Sequence, residues 1–367
     1  MKTIVVSAVN LRKGGTLTIL KNCLEYLSPL AVTDKYRVVA LVHKKELSDY
    51  PGIEYIEMPW CVKSWFLRLW CEYVTMRGIS KKLAPVYLWL SLHDTTPNVK
   101  AERRAVYCHN PFPFYKWKWR ELLLNYRIVC FAWFSKYIYG TNIHKNRNII
   151  VQQDWIRKEF ISGFGVKQDK IVIATPSCVT PDVEPTKVGD GVYRFLFASF
   201  GDIHKNFETL CEAARLLQDE VGTGKFKVVL TIGANDNKYT QWLYKKWGTV
   251  ESIELAGFMD KKRLYSHYST ADCLVFPSRV ETWGLPVSEF AATGKPMLLA
   301  DLPYAHETSA GSRQTAFFDA CNAVELKNMM KKLMEGDKSF LAPVEALAPE
   351  PPVANTWQEL FDILLEK

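Results

Sequence analysis

Two glutamates, Glu281 and Glu289, are separated by seven residues, with Gly284-Leu285-Pro286 between them. An ionised carboxylate accepts two hydrogen bonds from a vicinal diol, so such a pair suits a ligand rich in hydroxyls, a sugar or a ribose. The residues around it describe how the pair is held. Cys273 to Pro277 is a short apolar run of the kind a buried parallel strand uses. Pro286 fits the first turn of a helix, where its missing N–H costs nothing. Val287, Phe290 and Ala291 give that helix an inward face, and Gly294 suits its end. The spacing therefore predicts strand, glycine-bearing loop and helix, with backbone N–H groups near Gly284 and Leu285 free to meet an anion. The plainer alternative is that Glu289 complements a helix dipole and Glu281 is a solvated loop acid.

Three other places carry candidate chemistry. Lys205, in Gly201-Asp202-Ile203-His204-Lys205-Asn206, follows an apolar run and precedes a helical pattern. It reads either as a cation for a phosphate or as a solvated lysine beside an N-capping asparagine. His109 follows Tyr107-Cys108 at the end of another apolar run, and Asp94 follows His93 at the end of a third. A histidine so placed serves chemistry or a structural hydrogen bond. Asn10 to Gly15 ends in Gly14-Gly15 between a strand pattern and a helix pattern, as a tight turn or as the opening of a doubly wound domain. Nothing has metal-ligand spacing: there is no Asp-x-Asp, no Cys-x-x-Cys and no His/Cys cluster among the nine scattered cysteines.

The elements that must position these residues come in two sets. Strands are expected at Thr3–Val9, Tyr36–Val42, Val86–Leu92, Arg104–Cys108, Ile128–Phe131 and Ile149–Gln152, with a helix running from the Gly-Gly turn through Leu27. A boundary is expected across 175–191, which holds three prolines and no periodicity. The rhythm then restarts with strands at Phe195–Ser199, Lys227–Ile232 and Ile253–Leu255 and helices at Asn206–Leu217 and Lys261–Ser269. After a second proline-rich stretch, Thr356-Trp357-Gln358-Glu359 has the form of a capping box opening a last helix. At 367 residues two domains are the default, here 1–180 and 190–345 with a terminal helix over 355–367.

The segment around the two glutamates resembles the E-x7-E signature of retaining GT-B glycosyltransferases of family 4. Glu281, Gly284, Leu285, Pro286, Glu289, Ala292, Gly294 and Pro296 fall in its register, and Trp283 stands where phenylalanine is usual. Asp301-Leu302-Pro303 with Glu307 is similar to the stretch that follows in that family. The resemblance implies an α/β fold of two Rossmann-like doubly wound domains facing a cleft, with the C-terminal helix crossing back to the first. It implies a UDP- or GDP-sugar as donor and co-substrate, and neither cofactor nor metal. Carried onto this chain, it places His109, Glu281 and Lys205 in catalysis. Donor contacts fall to Gly14, Gly15, Ser199, Lys205, Gly233, Phe258, Arg279, Thr282, Gly284, Leu285 and Glu289, and acceptor contacts to Asp94 and Asn110. One departure stands out. Where the family usually carries an arginine six residues before the lysine, this chain has Ser199, and Arg279, Arg12 or Lys13 are the candidates to compensate.

Charge is unevenly spread. Residues 1–180 hold 27 Lys+Arg against 13 Asp+Glu, net +14, and eight of the twelve Trp; residues 181–367 hold 20 against 26, net −6. Phe112–Tyr139 interleaves Lys116, Lys118, Arg120, Arg127 and Lys136 with Trp117, Trp119, Tyr126, Trp133 and Tyr137, and Trp60–Lys82 is similar. No nucleic-acid-binding signature accompanies them. They read as an interfacial patch for an anionic membrane surface or as core aromatics with a solvated rim. With no long apolar run and no signal-peptide core, the expected place is the cytoplasm, peripheral to the inner face of the plasma membrane. The expected activity is transfer of a hexose-type sugar to a glycan acceptor, polyprenyl-diphosphate-linked, in surface polysaccharide synthesis. The alternative is a catalytically weak GT-B module that binds a sugar nucleotide or scaffolds a partner.

Overall fold

A computed structural model describes the whole chain except residues 177–185, 187, 347 and 367 and the side chain of Arg120. Most of the expected boundary at 175–191 thus lies outside the described residues. The chain divides into two compact units. Unit 1 takes Met1–Phe114, Trp133–Ser177 and Pro349–Lys367, and unit 2 takes Tyr115–Ala132 and Cys178–Ala348. Residues 115–132 cluster with the second unit, although they precede the boundary expected at 175–191.

Unit 1 holds strands β1 (Lys2–Ala8), β2 (Tyr36–Val42), β3 (Ile53–Glu57), β4 (Val86–Ser91), β5 (Arg103–Cys108), β6 (Asn148–Val151) and β7 (Ile171–Ala174). Unit 2 holds β8 (Tyr193–Phe197), β9 (Phe226–Leu230), β10 (Ile253–Leu255), β11 (Cys273–Phe276), β12 (Met297–Ala300) and β13 (Thr315–Phe318); β14 (Val353–Ala354) returns to unit 1. The helices in chain order are α1 (Gly14–Val32), α2 (Trp65–Trp70), α3 (Met76–Lys82), α4 (Trp119–Gly140), α5 (Asp154–Phe164) and α6 (Phe207–Val221). They continue with α7 (Lys238–Trp247), α8 (Lys261–Thr270), α9 (Leu285–Ala291), α10 (Pro303–Thr308), α11 (Ala323–Met334) and α12 (Trp357–Leu365).

Each unit is a parallel sheet wound on both faces. The orders are β14-β7-β6-β5-β4-β1-β2-β3 and β10-β9-β8-β11-β12-β13. In both the order reverses beside the first strand, between β1 and β4 and between β8 and β11. Ligands of open α/β sheets bind at the carboxyl ends of the strands at such a reversal.

The period of two sorts β1 onto its two faces. Ile4, Val6 and Ala8 pack with Leu20, Leu24 and Leu27 of α1 and with Leu360, Phe361 and Leu364 of α12. Val5 packs the other way, with Val39, Leu41, Met76 and Trp89. Burying a side chain the size of Phe361 contributes about 1.5–3 kcal/mol, so α12 is an integral part of unit 1. Thr356 caps it by accepting Glu359 N–H at 3.1 Å, while Glu359 reaches back to Asn355 N–H at 2.7 Å, one residue earlier than a strict capping box.

One expected strand is a helix. Ile128–Phe131 lies inside α4, which is kinked at Asn125 (φ −155°), whose side chain accepts Ile128 N–H at 3.3 Å. A short apolar run has no period of its own to distinguish strand from buried helix. Among the described residues no helix is long and apolar enough to cross a membrane.

Candidate functional site

Unit 2 places its motif residues at the reversal between β8 and β11. The chain leaving β8 reaches Lys205 through a short 3-10 turn. It then reverses at Asn206, whose left-handed φ of 60° is tolerated because its amide donates to Pro277 O at 3.0 Å and Ala320 O at 2.7 Å. The chain leaving β11 carries Ser278, Arg279 and Glu281. Lys205 Nζ meets Glu281 Oε1 at 2.5 Å, and Ser278 donates to the same oxygen at 2.6 Å. The side chains of Lys205 and Glu281 are only 15% and 11% exposed, so the pair is held with little room to wander. An ammonium and a carboxylate thus stand together where the two strands part. Both are fixed by local structure before any ligand arrives, the arrangement that electrostatic catalysis favours.

Gly284 then breaks the chain at φ 91°, a left-handed value that a side chain would strain, and Pro286 starts α9. The helix is only seven residues long. Trp283 Nε1 donates to Ser288 Oγ at 3.2 Å, which folds the Thr282–Leu285 loop onto its own helix. Glu289, one turn on, accepts the Tyr268 hydroxyl at 3.0 Å and the Tyr265 hydroxyl at 3.5 Å. Burial raises its carboxyl above the usual range, and the tyrosine hydrogen bonds only partly offset this. The two tyrosines of α8 escape a reading of sequence alone, because their spacing is that of any helix face.

Arg279 is the main surprise. It does not stand ready to replace the arginine missing at Ser199. Its guanidinium pairs with Glu121 at 2.6 Å, meets the Tyr115 hydroxyl at 2.5 Å, donates to Ile203 O at 3.1 Å and lies over the Tyr115 ring. Burial disfavours its charge, but Tyr115 and Glu121 outweigh burial and keep it protonated. Arg279 therefore fastens residues 115–132 to unit 2. No local pattern around Glu121 announces this, since the contact spans 158 positions. His204, beside it, is held neutral by burial first and then by Lys205 and Arg279.

The other residues expected at the donor lie at the neighbouring strand ends. Ser199 exchanges two bonds with Thr231, accepting at its carbonyl (2.9 Å) and donating from its N–H (2.8 Å). Gly233 N–H is taken by Asp236 at 2.7 Å, and a Cβ at Gly233 would press on that carboxylate. Phe258 is 70% exposed and stacks on Phe200, itself 56% exposed, at 6.3 Å between centroids.

In unit 1, Asp94 and His109 come together at the carboxyl ends of β4 and β5. Asp94 Oδ1 accepts His109 N–H at 2.7 Å, and Oδ2 lies 3.5 Å from His109 Nε2. Asn110 caps the next turn through Phe112 N–H at 3.0 Å. Gly14 (φ 62°) opens α1 after an exposed Arg12-Lys13. Sequence reasoning missed the polar layer beneath Asp94, formed by Ser7, Ser91, His93, Thr95 and Glu72. A serine at or next to the carboxyl end of each of two apolar strands, Ser7 in β1 and Ser91 in β4, was the available signal. Among the described residues no three His, Cys, Asp or Glu side chains gather as a metal site.

Residues 182–346 match the family described as Glycosyl transferases group 1. The match covers most of the second unit, without its residues 115–132, and less than half of the chain. No curated protein matches the sequence. Among solved structures, WaaG, a glycosyltransferase involved in lipopolysaccharide biosynthesis, aligns over 99% of this chain and 100% of its own at 11% identity and TM-score 0.69. The lipopolysaccharide outer core galactosyltransferase WaaB in its apo form aligns over 92% and 91% at 12% identity and TM-score 0.64. HepE of Anabaena in complex with UDP-glucose aligns over 100% and 96% at 12% identity and TM-score 0.60. At such identities the likeness establishes the fold alone. That fold is the GT-B architecture of two doubly wound α/β units.

Proposed function

We propose that the protein is a glycosyltransferase that moves a hexose-type sugar from a UDP- or GDP-sugar to a glycan acceptor with retention of anomeric configuration. The observation that carries the reading is the Lys205–Glu281 pair at the unit 2 reversal, with Glu289 one short helix away. Departure of a nucleotide diphosphate leaves negative charge on phosphate, and the ammonium of Lys205 is placed to stabilise it. Glu281 holds that ammonium until a donor takes its place, and its carboxylate then accepts from sugar hydroxyls. Glu289 accepts from the ribose diol, the role Tyr265 and Tyr268 fill in its absence. In this reading Phe258 is assigned to the base, His109 to catalysis, and Asp94 and Asn110 of unit 1 to the acceptor. HepE, of the same fold, binds UDP-glucose, which supports a nucleotide sugar as donor. No metal or cofactor is assigned a step, so activity is expected to survive a chelator.

The acceptor proposed is lipid-linked, a polyprenyl diphosphate glycan of surface polysaccharide synthesis met at a cytoplasmic membrane face. Two exposed aromatic surfaces support this. On α2 and the turn after it, Trp65, Phe66, Trp70 and Val74 are 58%, 86%, 60% and 46% exposed. Lys63, Arg77, Lys81 and Lys82 flank them with no exposed acid in the same stretch. On α4 the exposed large apolar residues are Trp119, Leu123 and Tyr126 in unit 2 and Trp133, Phe134 and Tyr137 in unit 1. Aromatic side chains with basic neighbours suit the headgroup layer of an anionic bilayer.

A specific observation favours a second reading. With Ser199 neutral and Arg279 committed to Glu121, the diphosphate has one fewer cation than in the family pattern, as in a weakly active sugar-nucleotide-binding or scaffold protein. Incubation with UDP- and GDP-hexoses decides between them. Nucleotide release above the spontaneous rate, lost in Lys205→Ala, supports transfer. Binding of UDP or GDP without release from any donor supports the scaffold.

A further inference from the structure

At the unit 1 reversal a buried carboxylate has no part in the chemistry above. Glu72 is 1% exposed and sits in the π-turn, Cys71–Thr75, that joins α2 to α3. Such turns inside helices gather at functional sites. Its carboxylate pairs with Arg68 one turn earlier and accepts the Thr95 hydroxyl at 2.6 Å. His93 Nδ1 lies 3.0 Å from Thr95 Oγ1, and His93 Nε2 lies 3.0 Å from Ser7 Oγ, which itself accepts Trp89 Nε1–H at 3.1 Å. One assignment of protons satisfies this chain. Trp89 donates to Ser7, Ser7 to His93 Nε2, His93 Nδ1–H to Thr95, and Thr95 to Glu72. It requires a neutral His93, and burial pushes that imidazole down to about 3. Burial alone would raise the Glu72 carboxyl, but Arg68 and the other partners outweigh it and keep it ionised.

Apolar side chains would hold α2 to the sheet without desolvating a charge pair, so packing is a poor reason for this network. What the network does grip is the turn His93-Asp94-Thr95. Its middle residue has the left-handed φ of 71°, uncommon for a residue with a side chain. That conformation aims Asp94 at both the backbone and the ring of His109.

We propose that Glu72 is a positioning residue, which through Thr95 and His93 sets the Asp94 carboxylate and with it the His109 ring. The assignment rests on the glycosyltransferase reading only for what Asp94 and His109 then do. Three variants test it: Glu72→Gln, Thr95→Val and Thr95→Ser. With whichever UDP- or GDP-hexose the wild type turns over, Glu72→Gln and Thr95→Val are expected to lower kcat about tenfold, the rate equivalent of one charge-assisted hydrogen bond. The donor KM should stay unchanged, and Thr95→Ser, which keeps the hydroxyl, should restore kcat. Without substrate, the ring resonances of His109 should move in Thr95→Val and not in Thr95→Ser, while those of His306 in unit 2 stay in place. An unmoved His109 ring in folded Thr95→Val, or Thr95→Ser as impaired as Thr95→Val, overturns the proposal. If the wild type releases no nucleotide, the glycosyltransferase reading fails and the resonance arm still decides this one. Should Glu72→Gln not fold, the Thr95 pair carries the test.

Discussion

Both units reverse their strand order beside their first strand, and both put a buried or half-buried glutamate near that point, yet the two glutamates live under opposite conditions. Glu72 of unit 1 is enclosed by Arg68, Thr95 and His93, and its carboxyl is held below the usual range. Glu289 of unit 2 has two tyrosine hydroxyls and the charge of Lys261, which together do not offset burial, so its carboxyl is raised. A carboxylate whose charge is satisfied within the fold positions other groups. One whose charge is left under-satisfied is available to a ligand. The same contrast separates the two cations near the motif. Arg279 is consumed by Glu121 and Tyr115, whereas Lys205 pairs with Glu281 alone among the described ion pairs.

The largest expected effect follows from the consumed cation. Glu121→Ala leaves the Arg279 charge buried and unpaired, and breaking such a pair costs about 3–5 kcal/mol, read as lower urea stability. Affinity for UDP or GDP should be retained if Arg279 only fastens residues 115–132. A gain or loss of nucleotide affinity in a folded variant would make Arg279 a phosphate ligand. Next comes the available cation. Lys205→Ala should lower turnover by roughly 10²–10³, the scale for one donor aimed at developing charge. A loss below about fivefold would place the diphosphate elsewhere.

Glu289→Ala should weaken nucleotide binding by about 1.5–3 kcal/mol, the worth of charge-assisted hydrogen bonds to a diol. Calorimetry with UDP and GDP on the folded variant checks it. The same residue gives a pH signature. Its carboxyl binds a proton more tightly folded than unfolded, so its contribution to stability is greatest below the unfolded value. That contribution falls as pH rises through the folded one. Glu289→Gln should therefore be more stable than the wild type at neutral pH and lose that advantage in acid, as denaturant midpoints at pH 4 and pH 7 would show. Equal midpoint differences at both would mean the charge costs nothing where it sits. The smallest effect concerns the surface. Lys81 and Lys82 replaced together by Ser should weaken co-sedimentation with anionic vesicles by about 1 kcal/mol per residue and leave neutral vesicles unaffected. No wild-type binding at low salt would leave the aromatic faces to another partner.

Much of unit 2 was legible because its site is sequential. Glu281, Gly284, Pro286 and Glu289 lie on one strand-loop-helix, so their spacing is their geometry. The pairing of Lys205 with Glu281 joins positions 76 apart, and only the resemblance, not periodicity, set them together. In unit 1 the strands could be read from apolar runs, but Glu72, His93 and Ser7 meet across three elements and carry no shared spacing. The strand expected at Ile128–Phe131 failed for a related reason. Four apolar residues have no period to show, and the run opens the part of α4 that follows the kink, where Asn125 accepts Ile128 N–H.

If the unit 2 reversal divides a nucleotide sugar between Glu281 and Glu289, paired calorimetry will show it. UDP and UDP-glucose, or GDP and GDP-mannose, would be titrated into the wild type, Glu281→Gln and Glu289→Ala. Glu289→Ala should weaken both ligands of a pair alike. Glu281→Gln should leave the bare nucleotide unchanged and weaken only the nucleotide sugar. Equal losses for both ligands in both variants, or no binding of any of the four to the wild type, would contradict it.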